Sequence, residues 1–154
     1  MEIRELNMAL KEMARKAGCC NEWLDAWRLD DSIEANISRF KRGLDFTTSN
    51  PSWITTEFIK ENFPLDVLHE SNIYIDEEVD VNGMSGDYVF LGHCTGKARF
   101  GGFSVCGVYL LGDSELNIVS EDSSRVFVSM YERSKCEVTE NFGSKLRLYD
   151  RRSK

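Results

Sequence analysis

The sequence lacks any long hydrophobic run and contains only two histidines among its 154 residues. No apolar stretch approaches the roughly 18–20 residues that a membrane-spanning helix needs, so we expect no membrane segment. The chain opens on Met1–Glu5 without the charged and then apolar stretches of a secretory signal, which predicts a cytoplasmic protein. No hydrolase motif is recognisable either, and the sequence indicates a protein without enzymatic activity.

The five cysteines are an odd number, and we expect reduced thiols rather than a framework of disulfides. Cys106 and Cys136 are predicted to be small hydrophobic core residues. A zinc site could be imagined from the other thiols and the two histidines: Cys19, Cys20, His69, His93 and Cys94. No pair of them has the spacing of two to four residues that is typical of structural zinc ligands, so we expect no metal and no cofactor.

Charge is unevenly distributed along the chain, whose formal net charge is −7. Residues 1–83 contain 17 acidic and 9 basic residues, whereas residues 84–154 contain 9 acidic and 10 basic ones. A nucleic-acid-binding protein needs a basic face, so this balance argues against direct binding of nucleic acid. The acidic half could contact a basic partner, or it could only keep the protein in solution.

The densest acidic run comprises Asp76, Glu77, Glu78 and Asp80. The two-residue period of a strand predicts that Asp76, Glu78 and Asp80 share one face. We interpret the run as a candidate partner-binding site that contacts lysine or arginine side chains, or mimics the charge of phosphates. The alternative is a solvated edge strand whose charges prevent aggregation.

Residues 1–72 are predicted to form a helical region. Its first helix has apolar residues at helical spacing and ends near Gly18. These apolar residues are Ile3, Leu6, Leu10, Met13 and Ala17. Asn21 and Ser32 are predicted to cap the second and third helices, and a loop is expected at residues 47–51.

Beyond this loop, a helix is predicted over residues 56–62, where it ends because Pro64 removes a backbone donor. A short helical turn is expected near Val67. A strand is then predicted over Ile73–Val79, followed by a turn at Asn82–Gly83.

Seven consecutive ten-residue blocks fill the C-terminal half of the chain, from Met84 to Ser153. The third and fifth positions are mostly apolar, and fixed spacing of this kind indicates stacked repeats. The first position is serine in five successive blocks: Ser104, Ser114, Ser124, Ser134 and Ser144. The ninth is glycine in the first three: Gly92, Gly102 and Gly112. We predict that two blocks form one coil of about twenty residues, with positions three and five facing inward.

The predicted fold is α+β, with an N-terminal helical cap at residues 1–72 and a short β-solenoid at residues 73–154 that together form one cooperative unit. An antiparallel sandwich or barrel of hairpins could also repeat every ten residues. Its loops would tolerate insertions, whereas the stacking of coils keeps the repeats in phase, and the solenoid is therefore favoured.

A solenoid leaves two open ends that invite strand pairing. The helical region is expected to cap the first coil, and the charged tail at residues 147–154 to protect the last one. Alternatively, two chains form a homodimer through the C-terminal solenoid edge. Outward aromatic residues of the solenoid are further candidates for partner contacts. They are Tyr109, Phe127, Tyr131 and Tyr149.

Several segments resemble known proteins. Asp122–Val128 and Gly143–Tyr149 resemble the short-repeat β-solenoid tails of uncharacterised bacterial and phage proteins. Together with Glu12–Gly18, Phe58–Phe63 and Gly86–Gly92, they make nearly the whole chain similar to one such family, whose members are small cytoplasmic proteins carried by gut bacteria, their phages or mobile elements. The resemblance implies a solenoid fold and assigns no catalytic residue to a position of this chain.

This resemblance implies a phage or mobile-element accessory protein that binds a host protein. Small acidic phage proteins without enzymatic motifs often resemble inhibitors of host defence, so an anti-CRISPR-like inhibitor of a CRISPR effector nuclease is the most specific hypothesis. One alternative is a structural or assembly module that oligomerises through the solenoid ends. Another is an enzyme that uses His93, Cys94 or His69, although His93 and Cys94 would point to opposite faces of a strand.

Overall fold

Helices occupy the first part of the chain and parallel strands the second, so the fold is α+β, as predicted. The computed structural model describes residues 1–152, which fall into two units. The first unit ends at Ser71 and the second begins at Asn72. We call them the helical unit and the solenoid unit. The helices are α1 (Ile3–Lys16), α2 (Asn21–Ala26), α3 (Ile33–Arg42), α4 (Leu44–Ser49), α5 (Thr56–Asn62) and α6 (Leu65–Glu70).

α1 forms because its apolar residues recur every three or four positions, and it buries Leu6, Leu10 and Ala14. Its buried stripe differs from the prediction at several places, one of which is Ala14. Asn7 is fully buried, whereas Ile3 is exposed. A polar residue therefore lies at the centre of the packed face.

The predicted helix ends are partly confirmed. Ser32 caps α3, and its hydroxyl accepts a hydrogen bond from the Ala35 N–H at 3.0 Å. α5 has the predicted bounds and ends before Pro64. The prediction that Asn21 caps α2 is wrong, because the chain already becomes helical at this residue and Cys20 precedes the helix.

The predicted loop at residues 47–51 is wrong in its first part, because α4 continues to Ser49. The indole N–H of Trp53 donates to the Thr47 hydroxyl at 2.9 Å, and Thr47 is buried. Tertiary packing of this kind overrides the weak helix propensity of threonine.

A buried polar network joins three segments: α1, the residues that follow α2, and α3. The Asn7 Oδ1 accepts hydrogen bonds from Trp27 Nε1 at 3.0 Å and from Asn36 Nδ2 at 2.9 Å. Its amide nitrogen donates to the Asp31 carbonyl oxygen at 2.9 Å. Arg39 lies 4.5 Å from the centre of the Trp27 ring and pairs with the Asp31 carboxylate. Because buried polar groups are costly unless they are paired, this network specifies how the three segments pack.

Within residues 1–152, nine strands form two parallel sheets, which together make a solenoid of about four turns. The strands are β1 (Ile73–Ile75), β2 (Glu78–Gly83), β3 (Gly86–Leu91), β4 (Thr95–Phe100), β5 (Val105–Leu110), β6 (Glu115–Ser120), β7 (Arg125–Met130), β8 (Lys135–Glu140) and β9 (Lys145–Asp150). The odd-numbered strands form a five-stranded sheet and the even-numbered strands a four-stranded sheet. Because every strand pair among the described residues is parallel, this part of the chain does not form an antiparallel sandwich.

The strand register confirms that two ten-residue blocks make one coil. Cys106 pairs with Val126, twenty residues later, and the same step holds for all later pairs and for β3 with β5. The first coil is shorter, because Ile73 already pairs with Val89. The predicted turn at Asn82–Gly83 is wrong, since both residues continue the ladder of β2 with β4.

The inward side chains of both sheets form the core of the solenoid unit. Positions three and five of each block face inward, as predicted, and burial is nearly complete at Val108, Ile118 and Val128. Position seven also faces inward, although the repeat did not single it out. Its residues in the buried coils are Phe90, Phe100, Leu110, Ser120 and Met130.

The five repeated serines are buried, and each of them ends a tight turn. The Ser124 hydroxyl donates to the Phe100 carbonyl oxygen at 3.0 Å, and the Ser134 hydroxyl lies 3.1 Å from the Leu110 carbonyl oxygen. These acceptors belong to the preceding coil. The serines therefore satisfy buried backbone groups and hold the turns of adjacent coils together.

Position nine has a left-handed backbone in the first five blocks, which explains its glycines. Asp122 and Glu132 adopt the same conformation, with φ values of 57° and 56°. The Asp122 carboxylate accepts the Gly102 N–H at 2.7 Å, and the Glu132 carboxylate accepts the Gly112 N–H at 2.9 Å. These hydrogen bonds to the preceding coil offset the conformational cost of a side chain at this position.

Candidate functional site

Asp76, the first residue of the acidic run, does not lie on a strand. It occupies the turn between β1 and β2 with a φ of 51°, and its Oδ1 accepts the His93 backbone N–H at 2.7 Å. The predicted shared face of Asp76, Glu78 and Asp80 is wrong, because the chain turns at Asp76 instead of continuing as one strand. Asp76 therefore helps to hold adjacent coils together.

The other three acidic residues also differ in their surroundings. Glu77 is half-buried, and its carboxylate accepts the Ile75 N–H at 3.2 Å. Glu78 and Asp80 are exposed on the outer face of β2, where Asp80 lies in register with Lys97 of β4. The structure thus brings only two of the four acids together on one face, and that face also carries positive charge.

His93 and Cys94 lie on opposite sides of the coil wall. Cys94 is fully buried and its thiol donates to the Leu91 carbonyl oxygen at 3.4 Å, whereas the exposed His93 has its Nδ1 3.4 Å from Asp113 Oδ1. Burial raises the pKa of the Cys94 and Cys106 thiols and so disfavours their thiolates. His93 and Cys94 therefore do not form a base–nucleophile pair.

The remaining candidate ligands are dispersed. Cys19 and Cys20 lie between α1 and α2, His69 lies in α6, and Cys136 is half-buried in β8. Across residues 1–152, no three histidine, cysteine, aspartate or glutamate side chains gather into a group that could hold a metal ion.

Three of the four candidate aromatic residues lie on the outer face of the five-stranded sheet. Tyr109, Phe127 and Tyr149 come from β5, β7 and β9. Tyr109 and Tyr149 share a column, and Ser129 lies between them in register. Tyr131 lies elsewhere, in the turn after β7.

Basic side chains accompany these aromatic residues. Arg125, Lys145 and Arg147 occupy outward positions of β7 and β9 and are exposed. No acidic residue occupies an outward position of β5, β7 or β9, all three of which lie within the described residues. We call the six side chains the aromatic–basic face. They are Tyr109, Arg125, Phe127, Lys145, Arg147 and Tyr149.

Large apolar residues project from one corner of the solenoid. Met84, Phe103 and Phe142 are 79%, 90% and 105% exposed, and each lies in a turn that leads from the four-stranded to the five-stranded sheet. Parallel stacking places these turns in one row, which we call the apolar corner row. The turns of the opposite corner contain Asp76, His93, Asp113 and Arg133 instead. The row was not predicted from the ten-residue pattern, although phenylalanine in otherwise polar turns is a sequence signal for it.

The last coil has a partly open interior. Val138 and Leu148 are each 41% exposed, because no further coil covers them within the described residues. Position seven, which is apolar in most of the buried coils, is occupied here by Glu140 and Asp150. Glu140 accepts the Leu146 N–H at 2.7 Å. Of the tail predicted to protect this end, residues 153 and 154 lie outside the described part of the chain.

Comparison with known proteins gives no relative for this chain: no protein-family model, no curated protein and no solved structure matches it. Within residues 1–152, no helix combines the length and apolar character required to cross a membrane.

Proposed function

We propose that this protein is a non-enzymatic interaction protein that binds a host protein. The observation that carries the proposal is the apolar corner row. Single exposed apolar residues are common on protein surfaces, but the almost complete exposure of Met84, Phe103 and Phe142 along one edge is unusual. Aromatic side chains that enter pockets of a partner supply much of the binding energy at protein interfaces.

The solenoid holds this row in a rigid arrangement. Phe103 and Phe142 lie two coils apart, which corresponds to about 10 Å along the stack. Because each turn is fixed by hydrogen bonds to the adjacent coil, little backbone freedom remains to be lost on binding. A suitable partner has apolar pockets at this spacing.

The more specific form of the proposal is a phage or mobile-element accessory protein that inhibits a nucleic-acid-targeting defence nuclease, as anti-CRISPR proteins do. Its support is the acidic excess of residues 1–83 and the exposure of Glu78 and Asp80. A nuclease channel is basic, so these acids would attract it over a distance that shrinks as salt is added.

The test is affinity capture from a host-like bacterial lysate at low and high salt, followed by mass spectrometry and by binding measurements with the purified partner. We expect one host protein to bind the wild type and to be lost with Phe103→Ser/Phe142→Ser. The control Ser123→Ala, in the intervening turn of the row, should retain it. Equal recovery of the same proteins by all three forms would contradict the proposal.

Matched variants also test the proposed attraction between the acidic residues and the basic channel of a nuclease. Glu78→Lys/Asp80→Lys should weaken nuclease binding at low salt, whereas Glu115→Lys/Glu137→Lys changes the net charge equally on the same sheet and should leave the affinity nearly unchanged. Binding that is indifferent to salt, or equally weakened by both variants, would rule out a specific role for Glu78 and Asp80.

A second candidate function is assembly through the C-terminal end of the solenoid, as a homodimer or a longer stack. The observation that favours it is the exposure of Val138 and Leu148. Light scattering over a wide concentration range tests it: the mass should rise with concentration, and a constant mass of one chain would contradict it.

A further inference from the structure

The aromatic–basic face differs in charge from the rest of the protein. Its strands β5, β7 and β9 present three cations and no acid on their outward side, although the whole chain has a net charge of −7 and the neighbouring strand β3 carries Asp87 in register with Gly107. Arg151 adds a fourth cation, because its guanidinium lies 5.4 Å from the centre of the Tyr149 ring. Charges within about a Debye length dominate at a surface, so this face attracts anions at moderate salt.

The aromatic rings of the face are spread along the stack. Phe127 lies one coil from both Tyr109 and Tyr149, and is offset from them by two residues along the strand. With about 4.8 Å between strands and about 3.3 Å per residue, neighbouring rings are separated by about 8 Å at their backbones. Flexible side chains can bring such rings to successive or alternate bases of an extended strand.

We propose that this face binds single-stranded nucleic acid with little sequence preference. Flat sheets recognise single strands in this way: aromatic side chains stack on the bases, and neighbouring cations neutralise the phosphates. The proposal does not depend on host-protein binding, which rests on the apolar corner row.

The aromatic rings favour a nucleic acid over an acidic peptide. The face of an aromatic ring is electronegative, so it repels carboxylates but stacks on the planar bases. A duplex is also a poor ligand, because its bases are already stacked within the helix and expose only their edges and the backbone.

The experiment measures fluorescence anisotropy of a labelled single-stranded oligothymidylate and an oligouridylate with the full-length protein at low salt. We expect binding whose logarithmic dependence on salt has a slope of about −3, which corresponds to four cations. Phe127→Ala and Tyr149→Ala should each weaken the affinity at least about fivefold. Phe103→Ser/Phe142→Ser, which tests the host-protein site, should leave this affinity unchanged.

Matched charge variants distinguish binding at this face from attraction by positive charges elsewhere on the protein. Arg125→Gln/Arg147→Gln should weaken binding and reduce the salt slope by about half. Lys97→Gln/Lys135→Gln removes the same charge from the outer face of the four-stranded sheet and should have a much smaller effect. Thermal unfolding followed by circular dichroism confirms that each variant is folded.

Three results would overturn the proposal. The first is no oligonucleotide binding by the wild type at the lowest salt concentration. The second is an equal loss of affinity for both pairs of charge variants. The third is competition by a polyglutamate peptide as strong as that by the unlabelled oligonucleotide, which would assign the face to acidic proteins.

Discussion

Gly96 on β4 lies so close to Val79 on β2 that a Cβ atom at Gly96 would stand 2.0 Å from the Val79 carbonyl oxygen. The φ of Gly96 is also 120°, a conformation that side chains disfavour. Gly96→Ala should therefore lower the free energy of unfolding by about 3 kcal/mol or more, because the first two coils must separate.

Gly102→Ala is the matched control for this change. Gly102 has a φ of 62°, yet a Cβ atom there would meet nothing within 4 Å. Gly102→Ala should lower the free energy of unfolding by only about 1–2 kcal/mol, which is the cost of a side chain in the left-handed conformation. Chemical denaturation of both variants measures the difference, and equal losses would show that the contact with Val79 is unimportant.

Ser124→Ala should destabilise the solenoid unit by about 1–2 kcal/mol. The Ser124 hydroxyl is fully buried and donates to the Phe100 carbonyl oxygen, so its removal leaves part of that acceptor unsatisfied. The adjacent Ser123 is exposed, and Ser123→Ala should be nearly neutral. Urea denaturation compares the two variants, and equal midpoints would show that the Ser124 hydrogen bond contributes nothing to stability.

Asn7→Leu should destabilise the helical unit by about 2–4 kcal/mol, although leucine has the same branched arrangement of side-chain heavy atoms. The change removes the acceptor for the Trp27 indole and for the Asn36 amide. Loss of the helical circular dichroism signal on heating measures the effect. Asn21→Leu, at an exposed position of α2, is the control, and a loss no larger than in this control would contradict the role of the network.

The helical unit should lose stability in acid through Asp31. Burial raises the pKa of this carboxyl group, but hydrogen bonds from the Arg28 N–H and the Arg39 guanidinium outweigh it and lower the pKa overall. Since the pKa is lower in the folded state, the stabilisation is complete above about pH 5 and is lost as the pH falls through the folded-state pKa.

The comparison of Asp31→Asn with the wild type isolates this effect. The melting temperature of the wild type should fall more steeply between about pH 5 and pH 3 than that of the variant. Parallel curves would show that Asp31 does not carry the pH dependence.

Glu140→Leu/Asp150→Leu should make the C-terminal end of the solenoid prone to strand pairing between molecules. Inward charges at the end of a stack discourage the pairing of strands between molecules. Light scattering should then show assembly at concentrations where the wild type does not assemble. The control Glu115→Leu/Glu137→Leu removes two outward acids, and assembly by both variants or by neither would contradict the protective role.

The solenoid was predictable because its geometry forces a periodic sequence. A side chain in one coil must lie over an equivalent one in the next, so positions three and five repeat across the blocks. Position seven was not predicted to face inward because Ser120, Glu140 and Asp150 interrupt its apolar column. The extra turn at Asp76 was also hidden, because the dihedral angle of a single aspartate decides whether the strand continues.

The surfaces were less predictable than the core. Which residues share a face depends on strand register and on where each turn lies, and the sequence alone left the first coil undetermined. The outward orientation of Tyr109, Phe127 and Tyr149 was predictable from the ten-residue phase, whereas their role in partner contacts stays a prediction. Phe103 and Phe142 lie in turns, where the repeat constrains side-chain chemistry least.

The twenty-residue step between coils also restricts how this chain can change in length during evolution. Insertion of a whole coil would leave every later residue on its original sheet and at its original corner. Insertion of a single ten-residue block would instead exchange the two sheets for everything downstream, so that Tyr149 and Arg147 would move to the opposite side of the stack. Viable relatives should therefore differ by complete coils and not by half coils.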